Sequence, residues 1–256
     1  MYNCERQIPR VLAQFDEETQ KMFAEMIVID NDSKDSSIKA ASDAAAELQH
    51  IKVSIRKNRE NYNLGGSHKV AFNYALEHGF DYVVVLHGDD QGSIADLIPY
   101  IKSGEYENYD SLLGSRFMNG SKLVGYSRFR IFGNYVFNIF VSLISRRKLY
   151  DLGAGLNMYK TTYLKNQFYL YFPNNLAFNV YILYYGLWVK SVFKFFPLLW
   201  REDDQVSNAK LFKQSREICV LSLQFLFAPQ RLFSAKRNEF SAINYQSDEQ
   251  FTNQGT

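Results

Sequence analysis

The chain has 256 residues, 46% of them hydrophobic and 16% aromatic, enough to bury one large α/β core. A net charge of +2 gives no argument for a nucleic-acid partner, and two cysteines form no disulfide framework and suggest a reducing compartment. The N-terminus has no apolar leader core and no stretch reaches the about 18 uninterrupted apolar residues that span a bilayer, so the chain is expected to be soluble or to lie on a membrane surface.

Helix and strand patterns alternate from residue 5 to about residue 115. Glu5–Phe15 has helical spacing, with Pro9 tolerated only near the first turn. Met26–Ile29 is a short apolar run ending at Asp30, and Ser36–Gln49 is an alanine-rich helix. Ile51–Ile55 alternates like a strand, and Gly66–His78 reads as a helix. Tyr82–Leu86 is a continuous apolar run, the pattern of a parallel strand buried on both faces. Ser93 is placed to cap the next helix, and Ser111–Leu113 is a further strand. Such alternation predicts an α/β fold with a doubly wound, mainly parallel sheet and flanking helices.

Ligands of such sheets bind beyond the carboxyl ends of the strands. Those ends read Asp30-Asn31-Asp32-Ser33, His87-Gly88-Asp89-Asp90 and Gly114-Ser115-Arg116, so two acidic ends and one basic end converge on one rim. Between Asp110 and Asp151 no acidic residue occurs, while Arg116, Lys122, Arg128, Arg130, Arg146, Arg147 and Lys148 all do, interleaved with Phe and Tyr. A partner with negative charge is the natural reading. The segment around 128–148 reads as an aromatic-basic helix, which either packs in the core or lies on a membrane. Residues 211–240 form an amphipathic helical part, and the polar tail 241–256 is expected to be disordered.

In order and spacing these segments resemble the family 2 glycosyltransferases of GT-A fold, especially the polyprenyl- and dolichyl-phosphate sugar transferases. Tyr2-Asn3-Cys4-Glu5 with Ile8 is similar to the family's P-x-Y-N-x-E opening, and Val28-Ile29-Asp30-Asn31-Asp32-Ser33-Lys34-Asp35-Ser36 to its first acidic loop. Asn63-Leu64-Gly65-Gly66 matches the glycine turn, and His87-Gly88-Asp89-Asp90-Gln91 stands where the family has D-x-D-x-Q. Gly114-Ser115-Arg116, Arg130 with Asn134, and Asp151 with Gly155 follow the downstream pattern, and Trp200–Ser207 resembles a late loop near the active site. The resemblance implies a glycosyltransferase domain over 1–210 and a further strand preceding Tyr2, the fold's first and central strand, which the sequence lacks.

What the resemblance implies for chemistry is a nucleotide-diphosphate sugar donor and an inverting transfer to a polyprenyl phosphate or a glycan hydroxyl in cell-envelope synthesis. It places Asp30 at the base and ribose, with Tyr2, Asn3, Glu5, Asn31 and Asp32 nearby. A divalent cation, Mg²⁺ or Mn²⁺, would be held by Asp89 with His87, Gln91 or water completing the shell. Asp90 reads as a solvent-facing neighbour. Arg116 and Arg130 would grip phosphate oxygens. Asp151 is the catalytic candidate on the acceptor side: a general base for a hydroxyl acceptor, or only an orienting group for a phosphate acceptor. Glu202, Asp203 and Asp204 are candidate loop gating groups. The location implied is cytoplasmic, with a peripheral place on the cytoplasmic membrane face as an alternative. A rival reading is a degenerate, inactive nucleotide- or partner-binding relative, supported by His87 and the absent strand. Dinucleotide oxidoreductases are excluded by the lack of G-x-G-x-x-G after an early strand.

Overall fold

The computed structural model of the chain describes residues 1–202, 211–233 and 243–253. Its first part alternates as expected: α1 (Ile8–Leu12), α2 (Glu17–Gln20), β1 (Glu25–Asp30), α3 (Ser37–Ala45), β2 (Lys52–Asn58), α4 (Asn63–Glu77) and β3 (Tyr82–Leu86). Then come α5 (Ile98–Lys102), β4 (Ser111–Ser115), β5 (Lys122–Val124), α6 (Arg128–Ser145), β6 (Leu156–Lys160), α7 (Thr161–Leu164) and α8 (Phe178–Trp188). The chain closes with β7 (Phe193–Pro197), β8 (Leu199–Arg201), α9 (Leu211–Phe227), α10 (Pro229–Phe233) and β9 (Ser247–Thr252).

The strands form three sheets, in the orders β1-β2-β9, β3-β6-β4-β7 and β5-β8. β1/β2, β4/β7 and β5/β8 run parallel, whereas β2/β9, β3/β6 and β4/β6 run antiparallel. The α/β architecture with flanking helices is as read from the sequence; the pairing is mixed because β6 and β9 enter against their neighbours. Ala41 and Ala45, one helical turn apart on α3, are fully buried against a core that includes Leu12, Ile51, Val53 and Ile55. A second core, rich in aromatic rings, gathers Phe72, Tyr159, Tyr169, Phe178 and Tyr184.

Two expectations are corrected. Ser93 makes no side-chain cap to the 3-10 turn Ile94–Asp96. The tail is not disordered over 247–252: β9 pairs with the far edge of β2. Charge complementarity holds this polar segment, with Arg59 bonded to Asp248 and Arg56 to Ser247, while the Asn253 side chain bonds backbone atoms of Leu48, Ile51 and Val53.

A third departure bears on the site. β3 was expected to be buried on both faces, yet all five of its residues are only half-buried. Among the described residues β3 pairs on one side only, with β6, and β1 pairs on one side only, with β2. Ile27 and Ile29 of β1 and Val83–Leu86 of β3 line one cavity of about 850 Å³. At its end the Met1 amino group donates to Ile29 O at 2.7 Å, and Met1 O accepts from Asn31 N at 2.9 Å. That is the bond pattern of a parallel neighbour centred on Asp30.

Candidate active site

The cavity opens onto the rim formed by the carboxyl ends of β1, β3 and β4. It gathers Tyr2, Asn31, His87, Asp89 and Gln91 from the predicted site, and across from them Arg116, Arg130 and Asp151. Asn3, Glu5, Asp30 and Asp32 do not line it. Asn3 and Glu5 instead bond the loop after β1: Asn3 Oδ1 accepts from Lys34 N at 2.9 Å, and Glu5 Oε2 from Ser36 N at 3.3 Å. Asp32 pairs with Lys34 and Lys57. Asp30 is fully buried; one carboxylate oxygen accepts from Ser33 N at 3.0 Å, and the other has no partner. Asn31 braces the cavity floor, its Oδ1 accepting from Asn58 Nδ2 and from Tyr62 N.

The acidic end of β3 divides its labour. Asp89 faces the cavity, and Asp89 Oδ1 accepts from Gln91 N at 3.3 Å. Burial raises its carboxyl above the ordinary value, against the opposing pull of the Gln91 N–H and the chain's N-terminal charge. Asp90, in the left-handed region with φ of 58°, is not solvent-facing: it accepts from Arg10 Nε at 2.7 Å and Gln14 Nε2 at 3.1 Å. It therefore pins α1 to the rim. The His87 backbone N–H donates to Gly155 O at 2.8 Å, and its ring lies 5.8 Å from that of His68. A side chain at Gly155 would stand 2.8 Å from His87 Nδ1, so that close approach needs glycine. Burial pushes His87 down to about 4 and His68 down to about 3, leaving both rings neutral at neutral pH. The Nε2 atoms of both are buried without a partner.

The basic side is built around one buried ion pair. Arg116 donates from Nε to Asp151 Oδ2 and from Nη2 to Asp151 Oδ1, each at 2.8 Å, and its backbone N–H adds a third bond at 2.9 Å. Gly153 N donates to the same carboxylate at 3.2 Å. Burial would raise the Asp151 carboxyl, but Arg116 and these hydrogen bonds outweigh it and hold it below the usual range. The Arg116 guanidinium also sits 5.1 Å from the ring centre of Trp200. Arg130 stands over Tyr126 at 4.5 Å and pairs with Glu202, which tethers the late loop at its start. Asp203 and Asp204 lie outside the described residues. His68 and Tyr126 also line the cavity; neither belongs to a motif, and only packing brings them there.

Among the described residues no three His, Cys, Asp or Glu side chains cluster closely enough to hold a metal ion. Asp89 offers the cavity a partly buried carboxylate with bonding capacity to spare. That fits a cation carried mainly by substrate phosphates and water, as Mg²⁺ commonly is, rather than one held in an all-protein cage.

Comparison with known proteins gives the family and the fold. Residues 1–168 match the glycosyl transferase family 2. The chain belongs to that family. Over 142 residues it is 25% identical to the undecaprenyl-phosphate mannosyltransferase of Micrococcus luteus, covering 56% of this chain and 57% of that one. The chain thus spans little more than half the length of that relative. In solved structures it resembles Mycobacterium tuberculosis glucosyl-3-phosphoglycerate synthase in complex with UDP, with a TM-score of 0.62 at 13% identity, covering 88% of this chain and 77% of the synthase. Staphylococcus aureus TarS, residues 1–349, aligns with a TM-score of 0.53 at 18% identity over 92% of this chain and 73% of TarS. The family 2 chain therefore has the GT-A fold of these enzymes.

Proposed function

We propose that the chain transfers a sugar, with inversion, from a nucleotide-diphosphate sugar to a polyprenyl phosphate. The observation that carries the choice of acceptor is the state of Asp151. A general base must have a free carboxylate lone pair and a pKa tuned toward working pH. Asp151 has four hydrogen bonds and a lowered pKa. It suits orienting Arg116 and poorly suits abstracting a proton. A hydroxyl acceptor needs that abstraction; a phosphate acceptor is already anionic. The mannosyltransferase relative, named for undecaprenyl phosphate, supports the same choice.

In this reading an acceptor phosphate oxygen attacks the anomeric carbon, its C–O bond to the diphosphate breaks, and the nucleoside diphosphate leaves with both electrons. Arg116, held flat by Asp151, and Arg130 face the departing diphosphate and bind its oxygens. For Arg130 that means exchanging Glu202 for phosphate. Asn31, Tyr2 and the loop carried by Asp30 form the donor's nucleoside end. Asp89, with Gln91 or the His87 imidazole beside it, would hold a divalent cation, which when bound neutralises diphosphate charge. The M. tuberculosis synthase has been seen with Mn²⁺ and UDP-glucose. No helix among the described residues is long and apolar enough to cross a membrane, and we place the reaction at the cytoplasmic face, where nucleotide sugars are available.

The test is nucleoside diphosphate release from UDP- and GDP-sugars, with polyprenyl phosphate or unphosphorylated polyprenol as acceptor. Release is expected with the phosphate only; equal release with the alcohol would overturn the acceptor assignment. Asp89→Ala is expected to lower release at least about a hundredfold with the fold intact by circular dichroism. Activity surviving in that variant would remove Asp89 from the site.

A further inference from the structure

Helix α6 has two walls with different surroundings. Toward the site it presents Arg130, Asn134, Phe137 and Asn138. Away from it, Phe132, Val136, Ile139 and Leu143 are 68%, 50%, 61% and 74% exposed. At 3.6 residues per turn these four side chains fall within a strip about 60° wide and about 16 Å long. A continuous apolar strip of this size marks an interaction surface rather than ordinary scatter. The neighbouring α9, which packs against α6, exposes a second run at helical spacing, Val220, Leu223 and Phe227.

Charge indicates what the strip meets. Arg128 lies at its start and Arg146, Arg147 and Lys148 at its end, all exposed, and no acidic residue occurs between Asp110 and Asp151. A second copy of the chain would bring these cations face to face. An anionic bilayer satisfies both features at once: headgroups take the cations and the acyl boundary takes the rings and aliphatic chains.

We propose that the outer face of α6 docks on an anionic membrane surface, leaving its inner wall as one side of the path by which the acceptor phosphate reaches the site. The path rests on the lipid-phosphate reading above; the docking does not. Because one amphipathic face anchors weakly, attachment is reversible.

The full chain is sedimented with vesicles of phosphatidylcholine alone or mixed with phosphatidylglycerol. Binding is expected with the mixed vesicles and weakly, if at all, with the neutral ones. The variant Phe132→Ser/Ile139→Ser/Leu143→Ser, altered only at exposed positions outside the cavity, is expected to lose binding more than about tenfold. Its affinity for nucleoside diphosphate should be unchanged. Arg146→Gln/Lys148→Gln is expected to lose about fivefold per charge at moderate salt, and the difference from wild type should vanish at high salt. Absence of binding to either vesicle, or binding indifferent to the triple substitution, would overturn the docking. So would a dimer in sedimentation velocity that the triple substitution dissolves, since the strip would then belong to a second copy. Vesicle binding is read without turnover, so an inactive chain that still binds would overturn the transfer reaction alone.

Discussion

β3 and β4 are both short strands ending on the rim of the cavity, and the more apolar of the two is the more exposed. β3, Tyr-Val-Val-Val-Leu, is half-buried at every residue; β4, Ser-Leu-Leu-Gly-Ser, is buried at every residue. The difference lies beside the strands. β4 pairs with β6 and β7, whereas β3 pairs with β6 alone among the described residues. Val84 and Leu86 of β3 pack on one core, and Val83 and Val85 on the other, so both its faces are served and, among the described residues, only its flank is open. Burial of a strand depends as much on its lateral neighbours as on its own side chains.

That contrast can be broken or sharpened. At the end of β4, Asp151→Ala would leave the Arg116 guanidinium buried without its partner and is expected to cost about 3–5 kcal/mol in urea unfolding. The folded carboxyl of Asp151 is held below its unfolded value, so its contribution is fully present at neutral pH. It is lost as pH falls through and below the usual carboxylate range. Stability of the variant should therefore converge on that of the wild type in acid, and a constant difference down to low pH would show that packing dominates the pair. At β3, a five-residue apolar segment fused ahead of Met1 is expected to extend the parallel pattern begun by Met1. A rise in Tm of about 5–10 °C is the expected outcome, and no rise would mean that the space between β1 and β3 does not admit a strand. The smallest effect separates the strands directly: Leu112→Ala should cost about 3 kcal/mol and Val84→Ala about 1 kcal/mol by chemical denaturation. Equal costs would show that β3 is as tightly packed as β4.

Much of the rim was legible in the sequence because it is written in strand ends. An apolar run that stops at Asp30 or His87 locates both the strand and the polar group placed just beyond it. Asp89 and Arg116 were found in this way, whereas Gln91 and Asp151, the latter in the loop before β6, came from the family resemblance. Asp90 was not, since nothing in two adjacent aspartates says which faces the cavity and which holds Arg10; a left-handed backbone at Asp90 makes that choice. Asn3 and Glu5 belong to a real motif, yet they brace the loop after β1. The tail shows the opposite error. Ser247–Thr252 has the composition of a disordered end, but an open strand edge with arginines beside it is enough to order a polar segment.

By itself the sequence determined the alternation of helices and strands, the acids and bases at their ends, and the family. These depend on local hydrophobic periodicity and on short motifs, which act over a few residues. Only the tertiary structure decided that Asp151 is bound by Arg116 and that, among the described residues, the outer strip of α6 is uncovered and β3 is open along one side. Each of these is a contact, or the lack of one, between segments far apart in the chain, and no local pattern encodes which partner a side chain will meet.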